Sequence, residues 1–211
     1  MVSVYPSDRA AAGLILAPGA GAGQHGSFLV EAARQLAARG VTVATFDFPY
    51  MAAGRKSPDK APVLEAAWRQ AIADARGDAA LRGLPLFIGG KSMGGRIASQ
   101  VAAQGVEGVS GLVFLGYPLH PPGRPQQRRD THLPAITLPM LFVQGSRDEF
   151  GTAEEIRELL PRLNPQAQLF EVADGDHSFK VRVKTTGKKQ DAVFTEIFDR
   201  VDAFIRSVRQ P

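Results

Sequence analysis

Six short apolar segments constrain what this chain can fold into: residues 13–18 (GLILAP), 41–48 (VTVATFDF), 85–89 (PLFIG), 108–116 (GVSGLVFLG), 139–144 (PMLFVQ) and 167–172 (AQLFEV). They are rich in β-branched and aromatic residues, so they read as strands. They are nearly continuous apolar runs rather than apolar–polar alternations. Strands with that pattern are buried on both faces, as in parallel sheets. Helix-like runs lie between them at residues 28–38, 63–75, 93–104, 152–160 and 191–208. Gly40 follows the first as a C-terminal stop. Thr152 opens the fourth as an N-cap, with Glu154 and Glu155 at the positive end of the helix dipole. Strands alternating with helices predict an α/β fold with a mostly parallel sheet of about six strands and helices on both faces. No internal repeat is present.

The 211 residues fit a single domain spanning residues 1–211, long enough to bury a sizeable core. Hydrophobic residues make up 44% and charged residues 22%, so disorder along the whole chain is not expected. With no cysteine, the chain has no disulfide, thiolate metal site or cysteine nucleophile. The balance of 25 basic to 21 acidic side chains gives a net charge of +4. Two basic clusters stand out, Arg124/Arg128/Arg129 and Lys180/Arg182/Lys184/Lys188/Lys189. Neither has aromatic residues interleaved as a nucleic-acid-binding stripe would, and both read as solvated loops. No apolar run approaches the ~20 residues of a membrane span, and the first twelve residues do not read as a signal peptide. The expected location is the cytoplasm, with no membrane or nucleic-acid partner and a monomeric or homodimeric state.

Gly90-Lys91-Ser92-Met93-Gly94 fits the pattern G-x-S-x-G. The bare pattern is weak, but here it follows a strand (Leu86-Phe87-Ile88) and precedes a helix-compatible run (Gly95-Arg96-Ile97-Ala98). A serine on such a turn needs a strained backbone to expose its hydroxyl. Glycines two residues before and after it avoid collisions with neighbouring backbone. A phosphate-binding loop is excluded because its first glycine would fall at residue 85, which is Pro85.

A serine hydroxyl becomes nucleophilic when a histidine takes its proton and a carboxylate orients that histidine. Of His25, His120, His132 and His177, only His177 lies between the last strand and the closing helix, in Asp174-Gly175-Asp176-His177-Ser178-Phe179. The acid is expected after the penultimate strand, where Gln144-Gly145-Ser146-Arg147-Asp148 places Asp148, with Glu149 as a local rival. An oxyanion needs preorganised amide donors. The amide of Met93 is one candidate, and Ala20 in the loop Pro18-Gly19-Ala20-Gly21-Ala22-Gly23 is the other. That loop also resembles a dinucleotide fingerprint, with Gly21, Gly23 and Gly26 in register and Asp47 about 20 residues on. A cofactor role would leave Ser92, Asp148 and His177 unexplained, so no cofactor and no metal are expected.

Residues 119–138 (LHPPGRPQQRRDTHLPAITL) have no clear period. A stretch this long is either a minimal lid or a plain connection. His120 either binds a polar substrate group or fixes its own loop. Arg96 is expected to pin a neighbouring loop. Tyr50 and Met51 are expected to line an apolar acyl pocket.

Five motifs together resemble the α/β-hydrolase superfamily in its dienelactone-hydrolase-like branch, and a family of short predicted serine hydrolases within it. They are Ala17-Pro18-Gly19-Ala20-Gly21, Gly89 to Arg96, Leu115 to Gly123, Gln144 to Asp148 and Asp176 to Phe179. Dienelactone hydrolases carry a cysteine nucleophile, whereas this chain has Ser92 in that position. The resemblance implies a single-domain α/β-hydrolase with little or no cap and a trimmed sheet. It implies a serine esterase or related acyl hydrolase acting on a small ester-like molecule. A related eukaryotic branch includes subunits of chromatin complexes, which implies a second role as a non-catalytic protein-binding module.

Overall fold

A computed structural model describes residues 2–209. Its centre is a seven-stranded sheet in the order β1-β3-β2-β4-β5-β6-β7. The strands are β1 (Ser3–Tyr5), β2 (Ala12–Ala17), β3 (Val41–Thr45), β4 (Leu86–Lys91), β5 (Gly111–Leu115), β6 (Met140–Gly145) and β7 (Ala167–Val172). All neighbours are parallel except β1, which pairs antiparallel with β3 (Val4 opposite Ala44). The sheet of about six strands expected from sequence has seven, the addition being β1. β1 is three residues long and Pro6 follows it, too short a run to show a period in sequence.

Helices α1 (Ser27–Ala38), α3 (Ala61–Gly77), α4 (Met93–Ala103), α5 (Ala153–Leu159) and α7 (Gln190–Arg209) match the predicted runs to within a few residues. Two single-turn helices, α2 (Pro49–Ala52) and α6 (Val183–Thr186), were not expected. Each strand feeds two cores because its side chains alternate between faces. On β5, Leu112 and Phe114 join α3, α4 and α5 on one side. Val113 and Leu115 join α1 and α7 on the other. This two-sided burial is why the strands read as continuous apolar runs. Trp68, fully buried on α3, donates its indole N–H to the Gly94 carbonyl at 3.1 Å and ties α3 to the first turn of α4.

The chain order steps from β2 outward to β3, then crosses back over β2 to β4. Open α/β sheets bind ligands at the carboxyl ends of strands flanking such a reversal. Those ends carry the Pro18–Gly23 loop and the turn into α4. Residues 119–138 contain one 3₁₀ turn (Leu133–Ala135), and Leu119, His120, Asp130, Leu133 and Ile136 are buried. No cap stands over the sheet among the described residues. None of the described helices is long and apolar enough to cross a membrane.

Candidate active site

Ser92 stands between β4 and α4 with φ 50° and ψ −117°, a strained combination for a non-glycine residue. The crowding around it is severe. A Cβ on Gly90 would lie 2.3 Å from the Ala17 carbonyl oxygen, and one on Gly94 would lie 2.4 Å from the same atom. The spacing of the motif therefore follows from the close passage of β2 beneath the turn. The Ser92 amide donates to Leu115 O at 3.1 Å, and its carbonyl accepts the first α4 bond from Arg96 N at 3.0 Å. The Met93 amide lies at the first position of α4, where helix geometry provides no intrahelical acceptor.

The structure brings Ser92, His177 and Asp148 together. His177 Nε2 is 2.9 Å from Ser92 Oγ, and His177 Nδ1 is 2.7 Å from Asp148 Oδ2. The Asp148 side chain is fully buried. Its Oδ1 accepts from Phe150 N at 2.9 Å, and its Oδ2 also accepts from Gln144 Nε2 at 3.0 Å. Glu149, the rival acid, makes no such contact with His177.

The loop bearing His177 is held at both ends. Asp174 (φ 58°) and Phe179 (φ 61°) flank it, and with Ser92 they are the non-glycine residues at positive φ among those described. Asp174 accepts from Arg182 and Arg147, and this holds its carboxyl well below the usual carboxylate range. Lys91 reaches the loop from below: its Nζ donates to His177 O at 2.6 Å and lies 5.4 Å from the centre of the Phe179 ring. Burial pushes the Lys91 ammonium down to about 8, against the opposing pull of Asp148 and Asp176.

Above Ser92 opens a cavity of about 590 Å³, lined in part by Gly19–Ala22, Met93, Arg96, Arg129, Phe150 and His177. A larger cavity of about 920 Å³ between α1 and α7 shares Lys91 with it but contains none of Ser92, Asp148 and His177. The geometry around Ser92, not cavity size, marks the first as the candidate site. Ala20 and Met93 both line it.

Three candidate pocket residues are absent from the cavity wall. Tyr50 is fully buried, and its hydroxyl donates to the Ala20 carbonyl at 2.9 Å, so it braces the glycine loop rather than lining a pocket. Met51 packs beside it, 3.5 Å from where a Gly23 Cβ would stand. His120 is buried, with Nδ1 2.9 Å from Pro121 O and Nε2 3.1 Å from Glu155 Oε1. It fixes its loop to α5 and is absent from the cavity wall. Arg96, expected to pin a loop, instead lines the cavity. Asp47, the acid of the apparent dinucleotide pattern, accepts from Gln24 N at 2.7 Å and closes the glycine loop on itself.

Two residues at the site went unrecognised in the sequence. Gln144, at the end of β6, is buried: it accepts from Tyr117 N at 2.7 Å and donates to Gly151 O at 2.6 Å as well as to Asp148. A glutamine closing an otherwise apolar strand is the signal that could have found it. The Phe150 ring stacks at a tilt on His177, with centroids 4.3 Å apart; nothing in its local sequence marks it.

The model of the alpha/beta hydrolase domain family matches residues 10–206. Among solved structures, a dienelactone hydrolase from Anabaena variabilis superposes with a TM-score of 0.75 at 16% identity, covering 98% of this chain and 90% of that one. A lidless α/β serine hydrolase from Xanthomonas campestris gives 0.71 at 20% identity, covering 98% and 88%. An esterase domain from Rhodothermus marinus gives 0.69 at 14% identity, covering 97% and 91%. At these identities the structural matches speak for the fold. The family match over nearly the whole chain shows the rest: this protein belongs to the α/β-hydrolase domain family.

Proposed function

We propose that the protein is a serine hydrolase that cleaves a carboxylic ester or related acyl bond of a small molecule through an acyl-enzyme. The observation that carries this reading is the unbroken hydrogen-bond relay from Ser92 Oγ through His177 to the buried Asp148. Hydrolase and esterase neighbours of the same fold support it.

In the proposed reaction His177 Nε2 accepts the Ser92 proton as Oγ attacks the acyl carbon. Asp148, bonded to Nδ1, fixes the tautomer and stabilises the imidazolium that forms. The amides of Met93 and Ala20 receive the oxyanion, and the helix dipole of α4 adds to their effect. His177 returns the proton to the leaving group. It then deprotonates the water that cleaves the acyl-enzyme. Tyr50 keeps the Ala20 loop in place throughout.

Intact-mass measurement after exposure to a fluorophosphonate tests this directly. Wild type should take one adduct and Ser92→Ala none, while the variant's circular dichroism stays native. Turnover of short-chain esters should fall by about 10⁴-fold or more in the variant. An unreactive wild type that is well folded would discard the reading and leave a binding module on a hydrolase fold.

A further inference from the structure

The wall of the cavity above Ser92 carries a charge arrangement that the triad does not use. Arg96 lies four residues after Ser92 on α4, hence one turn, about 5.4 Å, along the same helix face. Arg129 comes to the cavity from the long β5–β6 connection. Its backbone is fixed on both sides: its N–H donates to Leu119 O at 2.8 Å, and its carbonyl accepts from the Tyr117 hydroxyl at 2.9 Å. The guanidinium is therefore presented from a rigid point.

Among the described residues, neither Arg96 nor Arg129 has an ion-pair partner. Arginines nearby do. Arg128 takes Asp130 at 2.5 Å and Glu155 at 3.5 Å, and Arg147 takes Asp174 at 2.9 Å. Asp130, next to Arg129 in sequence, is thus already engaged by Arg128. The Nε of Arg96 is buried and has no hydrogen-bond partner. A buried, unsatisfied donor is uncommon and calls for a missing acceptor. Burial, with the Arg129 charge beside it, pushes the Arg96 guanidinium below its ordinary range. Asp59 also lines the cavity: Arg55 holds its Oδ1 at 2.7 Å, its Oδ2 is itself buried without a partner, and no ion pair joins it to either arginine.

We propose that Arg96 and Arg129 form an anion-binding subsite beside Ser92, and that the substrate is an ester carrying a carboxylate or similar oxyanion a short distance from the bond that is cut. The proposal rests on the serine hydrolase reading and narrows its substrate class. An anion seated there satisfies the orphaned Nε, separates two like charges and uses the planar donor fork that suits arginine to carboxylates. It also fixes the register of the acyl carbon over Ser92, the positioning that an uncapped cavity otherwise lacks.

Two matched pairs of esters test the subsite. Mono-p-nitrophenyl glutarate against p-nitrophenyl pentanoate places the anion on the acyl side. p-Acetoxybenzoate against its methyl ester places it on the leaving-group side. The expected result is a preference in kcat/KM of about tenfold or more for the anionic member of one pair. Arg129→Gln should abolish that preference, and Arg129→Lys should keep part of it. No anion preference in either pair, in a wild type that takes a fluorophosphonate at Ser92, overturns the subsite and leaves the hydrolase reading standing. If Ser92 takes no fluorophosphonate, the hydrolase reading falls and calorimetry with glutarate decides the subsite alone. Binding by wild type that is lost in Arg129→Gln supports it, and no binding by wild type overturns it.

Discussion

The floor and the wall of the cavity are built by different means. Backbone makes the floor: β4 turns into α4 so close to β2 that side chains are excluded at Gly90 and Gly94. Side chains make the wall, brought by a long irregular connection that is tied down at a few points: His120 on Glu155, Tyr117 on Arg129 O, and His132 on Ser99 at 2.7 Å. A floor of that kind admits almost one solution. A wall of that kind can be rebuilt by exchanging a handful of residues. One scaffold can therefore keep its chemistry while its substrate range changes.

The sharpest way to break this contrast is a pair of glycine substitutions. Gly94→Ala pushes a methyl group into the Ala17 and Pro18 carbonyls and should cost at least about 3 kcal/mol or prevent folding. Gly123→Ala, in the wall connection, meets no atom within 4 Å; its φ of 68° should cost only about 1–2 kcal/mol. Urea midpoints measure both, and equal losses would erase the distinction.

Gln144→Leu comes next. It removes the group that joins the Asp148 turn to the β5 exit and leaves Tyr117 N and Gly151 O buried without that partner. A loss of about 2–3 kcal/mol is expected in denaturation. A fall in kcat larger than the change in KM should accompany it, because the carboxylate loses a bond that orients it.

The last effect is one of pH. The folded-state pKa of Lys91 lies below its unfolded value, at about 8 against 10.5. Between those values the unfolded chain binds the extra proton, so stability rises with pH in that window. Its contribution is at most about 3 kcal/mol. Relative to Lys91→Met, which cannot titrate, wild type should gain stability between pH 8 and pH 10. A constant difference between the two proteins would show that the ammonium is better solvated than its surroundings suggest.

The same contrast explains what could be read in the sequence. Floor residues are short-range features. The glycines around Ser92, the strand before it and the helix after it occupy one continuous segment, and Asp148 and His177 each follow a strand end. The capping box of Thr152 and Glu155 was half visible as well, since its residues are three apart. The wall depends on which distant side chains converge, and no local pattern encodes that. His120 could therefore be read only as binding substrate or fixing its own loop, of which the structure shows the second, and Arg96, read as pinning a loop, faces the cavity. Tyr50 follows an apolar strand end and looked like a pocket residue, yet its hydroxyl found a carbonyl 30 positions away. β1 escaped because three residues cannot display a period.

Asp148 and His177 also belong to one compact unit. The turns after β6 and β7 touch backbone to backbone, with Ser146 N on Val172 O at 3.1 Å and Arg147 N on Gly175 O at 2.9 Å. Ser92 is made long before either turn. As the chain leaves the ribosome, its hydroxyl is an ordinary alcohol with nothing to take its proton. On the proposed mechanism, chemical competence arrives in one step, when the last strand docks. On that mechanism a chain that ends before residue 177 lacks its base and cannot turn over an ester, even with all seven strands formed.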